Sequence, residues 1–108
     1  MTPTPPEFIK KYPEFAGLAD DFSDPPPGYV SDELIARNIR RNCSDNERIE
    51  AFNILLRDAR VINAALAKDW IMFRDYLNRN FKDADDARHW LQKIVPIWEE
   101  ELDRLKKR

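Results

Sequence analysis

A chain of 108 residues with 43% hydrophobic and 35% charged side chains holds enough apolar material for one core, and too much for general disorder. Its net charge of −2, from 18 Lys and Arg against 20 Asp and Glu, provides no overall field that draws nucleic acid. A single cysteine, Cys43, excludes an internal disulfide; no apolar run approaches the ~20 residues that span a bilayer, and the start MTPTPPEFIKK lacks the apolar stretch of a secretion signal, so the expectation is a cytoplasmic protein.

The helix breakers crowd the beginning: every proline except Pro96, and both glycines, lie within the first 28 residues. Residues 1–30 therefore read as a Pro-rich N-terminal arm, and 31–108 as the helical domain. Inside the arm, Thr4-Pro5-Pro6-Glu7 has the form of an N-cap with proline at the first helical position, opening a short helix with Phe8, Ile9 and Tyr12 that Pro13 ends or kinks. Phe15, Leu18 and Phe22 follow at helical spacing, which predicts an arm packed on the body through its aromatic residues. Asp20, Asp21 and Asp24 lack the glycine and closing glutamate of a calcium loop and read as a solvated turn. Pro26-Pro27-Gly28-Tyr29 matches the Pro-Pro-x-Tyr pattern bound by WW domains, although its position just before a helix cap favours a rigid connector.

Ser31, followed by Asp32 and Glu33, caps a helix expected over about 32–42. Ser44-Asp45-Asn46-Glu47 has the form of a capping box. From it the apolar residues Ile49, Phe52, Leu56, Ala59, Ile62, Leu66, Trp70, Phe73, Leu77 and Phe81 recur every three or four positions. They occupy an arc of about 140° at 100° per residue. That coherence favours one helix over about 45–80, with a break at Asp69 as the alternative. Unbroken, it would measure about 54 Å, against about 30–35 Å for a compact domain of this size, so it is expected to protrude and to seek a partner.

The last helix opens at Lys82-Asp83-Ala84-Asp85-Asp86 and carries Ala87, Leu91, Ile94, Trp98, Leu102 and Leu105, with Trp90, Val95 and Ile97 widening the face enough to touch two neighbours. Pro96 lies inside it and predicts a kink, since the apolar phase survives on both sides. No strand-type alternation appears, so the fold expected is all-α: a small helical bundle with one long helix, a Pro-kinked C-terminal helix and a Pro-rich arm.

Chemistry has few footholds. His89 is the only histidine; Cys43 lies far from it in sequence, and Asp85 or Asp86 with His89 supplies too few ligands for a closed metal site. No Gly-rich phosphate loop exists. The expectation is a non-enzymatic protein with no catalytic residues, no cofactor and no metal. Its positive signal is an excess of apolar helix surface, which points to protein partners, a second copy among them, bound through Trp70, Phe73, Leu77, Phe81, Trp90 and Trp98. The alternative is a nucleic-acid-binding regulator using Arg37, Arg40, Arg41 and Arg48, two helices and a polar turn with helix-turn-helix spacing. The segment Phe8–Ala16, FIKKYPEFA, also resembles the opening of some phage head-to-tail adaptor proteins, which are small and helical, and that resemblance implies a structural adaptor; it assigns no site residue.

Overall fold

Residues 6–25, 27–28 and 31–108 are described by the structure, a computed structural model. The sequence-predicted features at Thr4-Pro5, and at Pro26 and Tyr29 of the Pro-Pro-x-Tyr stretch, lie outside the described residues. The elements in chain order are α1 (Pro6–Lys11), α2 (Pro13–Leu18), a single 3-10 turn (Asp20–Phe22), α3 (Asp32–Arg37), α4 (Asp45–Leu77) and α5 (Ala84–Lys106). The fold is all-α, with no strand among the described residues.

α4 begins at its capping box. The Ser44 hydroxyl accepts from the Glu47 amide at 3.3 Å and donates to the Glu47 carboxylate at 3.1 Å, which satisfies one of the free donors of the first turn. The helix then runs unbroken for 33 residues, so Asp69 is not an N-cap; its carboxylate instead accepts from Lys11 Nζ of α1 at 2.7 Å. It stops at Leu77 because Asn78 adopts the left-handed conformation, φ 56°, and the amides of Asn78 and Arg79 reach back to Arg74 and Asp75. Phe81, expected on the helix, therefore belongs to the connection. α3 is also shorter than expected: Arg40 has φ 52°, and the chain between α3 and α4 forms turns instead of helix.

α5 starts at Asp83, whose side chain accepts from the Asp86 amide at 2.9 Å, and continues through Pro96 to Lys106. It runs antiparallel to α4. Arg108 at its end bonds Asp45 at 3.0 Å, closing the hairpin at the end where α4 begins. α1 and α2 lie on α4, while α3 packs on α5 and on the 3-10 turn.

A straight helix of α4's length would measure about 50 Å, yet the molecule extends only 39 × 30 × 23 Å with a radius of gyration of 13.4 Å. α4 must cross the body obliquely or curve around it. The projecting end expected from its length does not exist, because residues far away in sequence come to cover it. Phe8, Tyr12, Phe15, Ala16, Ala19 and Phe22 of the first segment are all buried. Phe8 stacks on Tyr76 at 4.3 Å and lies 5.8 Å from Phe73, and Phe15 and Phe22 meet Trp98 edge-on at 6.0 and 6.2 Å. Such pairs contribute about 0.5–1.5 kcal/mol each beyond the area they bury.

Polar ties fix the same segment in place. The Tyr76 hydroxyl donates to the Ala16 carbonyl at 2.7 Å. Burial, and secondarily the charge of Asp20, pushes this phenol far above its ordinary titration range. Arg79 donates to the Phe22 carbonyl at 2.8 Å and to Asp32, and the other oxygen of Asp32 accepts from Trp90 Nε1 at 2.9 Å. One carboxylate thus joins the 3-10 turn, α3, the α4–α5 connection and α5.

Candidate partner-binding surface

The six residues singled out as partner contacts are placed by the structure mainly in or beside the chain's own core. Phe73, Leu77 and Trp98 are fully enclosed. Phe81 is half-buried and stacks on Phe73 at 6.2 Å; Trp90 is half-buried and held by Asp32. Trp70 is half-buried at the core's edge, with the Arg74 guanidinium 5.4 Å from its ring. Of the nine residues 8–16 that carry the phage-adaptor resemblance, Phe8, Tyr12, Phe15 and Ala16 are likewise core residues.

The four arginines separate into two pairs. Arg37 reaches Glu101 at 3.2 Å and Glu100 at 3.4 Å, and Glu101 is itself buried, so this guanidinium neutralises an interior carboxylate together with Arg104 at 3.5 Å. Arg48 donates to the carbonyls of Ile39 and Arg37, closing the C-terminal side of α3, and lies over the Phe52 ring at 5.6 Å. Arg40 and Arg41 are exposed, but they line a polar groove with Asp20 and Asp21, whose charges oppose theirs. Burial, with Asp20 next, raises the Asp21 carboxyl above its usual range, while Arg40 pulls it the other way.

Cys43 and His89 stand at opposite ends of the hairpin. Cys43 precedes Asp45, which holds Arg108, whereas His89 is separated from that end by some 19 residues of α5, about 28 Å of rise. Among the described residues no three His, Cys, Asp or Glu side chains come together as a metal site, and no helix is long and apolar enough to cross a membrane.

Two other places carry apolar surface. Beside Pro96 a groove of about 260 Å³ runs between α4 and α5, walled by Leu56, Ala59, Leu91, Val95 and Pro96, with Arg60 and Glu99 at its rim. Asn63 also lines it, and the carboxamide oxygen of Asn63 is buried without a hydrogen-bond partner on the chain. Such an orphaned acceptor costs about 1–3 kcal/mol. The second place is the outer face of α4, where Val61 and Ile71 are 53% and 49% exposed. Sequence reasoning missed both. The available signals were Val95 widening the α5 face beyond one neighbour and Pro96 standing beside it. No family model, curated protein or solved structure matches the chain.

Proposed function

We propose that this chain is a non-enzymatic protein-binding module of the adaptor, assembly or inhibitor type, and that its α4–α5 groove receives an apolar side chain bearing one N–H donor from a partner protein. The observation that carries the reading is a groove walled mainly by apolar side chains whose lining includes the Asn63 carboxamide, the oxygen of which has no partner on the chain and must turn outward to meet a donor. An unpaired buried acceptor destabilises the free fold, and a donor arriving with apolar surface relieves that cost while covering Leu56, Val95 and Pro96. Tryptophan combines the two properties, a large apolar body and a single indole donor, and it is a frequent interface anchor.

Asn63→Leu tests this directly. The substitution removes the orphan, so the free protein gains about 1 kcal/mol in denaturant unfolding, while partner binding falls by tenfold or more. Binding is read with a photo-crosslinking residue at the exposed groove position Gln92, compared with the same residue at Lys106. Adducts in cells at Gln92 but not at Lys106, diminished by Asn63→Leu, fit the reading. Equal labelling at both positions, or adducts indifferent to Asn63, overturns it. The nucleic-acid alternative rests on Arg40 and Arg41, since Arg37 and Arg48 are engaged within the fold. A gel shift at low salt that vanishes with Arg40→Ala and Arg41→Ala would favour it over the protein-binding reading.

A further inference from the structure

The outer face of α4 carries a second pattern. Arg57, Val61, Ala64, Lys68, Ile71 and Asp75 follow one another at spacings of four, three, four, three and four, and none of them is buried. At 100° per residue they fall within an arc of about 80°, opposite the buried stripe. This alternation is the seam spacing of a coiled coil. The seam is self-complementary when read backwards. Laid antiparallel on a second copy about the level of Leu66, Arg57 meets Asp75, Val61 meets Ile71 and Ala64 meets Lys68, and each pairing occurs twice by symmetry.

We infer that α4 pairs with α4 of a second copy of this chain, antiparallel, across a twofold axis at the level of Leu66. The inference rests on the protein-binding reading but uses a different surface from the α4–α5 groove. Val61 and Ile71, two of the large hydrophobic side chains left exposed among the described residues, cover each other. Ala64 leaves room for the Lys68 stem, whose ammonium group reaches past it to water. Arg57 is 58% exposed and Asp75 is 42% exposed. Their present partners, Glu14 and Asp58 for Arg57 and Arg74 for Asp75, form partly exposed pairs of little energetic weight, so exchange for an intersubunit pair costs little. On one flank Arg60 faces the partner's Arg74, a repulsion that salt relieves. The contact stretch of 19 residues is about 28 Å long and belongs to the small class of interface, so the dimer is weak.

Sedimentation equilibrium of the full chain up to about 1 mM tests the pairing, with circular dichroism confirming that each variant remains helical. The expected result is a reversible monomer–dimer equilibrium that Val61→Asp with Ile71→Asp shifts at least tenfold toward monomer and Lys68→Leu shifts at least tenfold toward dimer. Arg57→Asp alone and Asp75→Arg alone each weaken it severalfold, and the double exchange restores it, because only the antiparallel register brings these two positions together. A strict monomer at that concentration, a dimer indifferent to Val61 and Ile71, or charge exchanges that fail to compensate overturns the inference. A monomer that still gives partner adducts at Gln92 would leave the groove reading standing.

Discussion

The early helices α1 to α3 and the α4–α5 hairpin are stabilised in opposite ways. The hairpin is built from local information: capped starts, an apolar stripe of constant phase, and a left-handed stop at Asn78. The early segment has helices of six residues each, too short to hold themselves, and owes its shape to contacts made across the sequence. Phe8, Phe15 and Phe22 are nevertheless as buried as anything in the hairpin. Intrinsic helical tendency and contribution to the core are therefore separate properties, and here the weaker helices supply some of the largest buried side chains.

The comparison breaks most readily at Phe8. Phe8→Ala removes a ring that contacts Tyr12, Phe15, Phe73 and Tyr76, and should cost about 3–5 kcal/mol in urea unfolding. A loss below 1 kcal/mol would show that the early segment is an accessory to a self-sufficient hairpin. Asp32→Ala should cost about 2 kcal/mol, since it strips a partner from Arg79 and leaves the Trp90 N–H unpaired. Its signature is a red shift of tryptophan emission that Glu33→Ala does not produce.

Tyr76→Phe leaves the Ala16 carbonyl without its donor and should cost about 1–2 kcal/mol at neutral pH. The pH dependence separates it from the others. The folded phenol is raised above its unfolded value near 10, chiefly by burial. Its contribution is whole below pH 10 and declines as the unfolded chain ionises above that point. The variant should lose less stability than the parent between pH 10 and 11.5, and parallel curves would contradict the assignment. Tyr12, raised in the same direction by burial, remains in both proteins as a common background.

Smaller effects sharpen the picture. Ser44→Ala should cost about 1 kcal/mol, a local loss of the α4 cap, and hydrogen exchange should rise only in the first turn. Arg40→Gly should stabilise by about 0.5 kcal/mol, because glycine accepts φ 52° without the penalty carried by a side chain.

Much of the hairpin was legible in the sequence. Ser44 and Glu47 mark where α4 begins, the phase from Ile49 to Leu77 carries it through Asp69, and the stripe across Pro96 shows that α5 continues. The end at Leu77 was not legible, since Phe81 keeps the helical phase and an asparagine tolerates the left-handed turn at position 78 without requiring it. The candidate surface was less legible still. Trp70, Phe73, Leu77 and Trp98 read as surplus because helical spacing places the arm's aromatic residues on the body without showing which side chains they cover. Periodicity reports which side chains avoid water without naming what covers them, and the covering groups lie far away in the chain. The Asp32 clamp is hidden for the same reason: its partners, Arg79 and Trp90, come from other elements.

The distance along the chain between Ala16 and Tyr76, 60 residues, has a consequence for how the protein is made. At the usual 5–20 residues per second of synthesis, the partners of the first aromatic residues emerge about 3–12 s after those residues do. Trp98, which covers Phe15 and Phe22, comes later again. For that interval the nascent chain carries Phe8, Tyr12, Phe15 and Phe22 without the α4 and α5 side chains that pack on them. Ribosome-associated chaperones should therefore engage the α1–α2 segment and release it only once α5 has emerged.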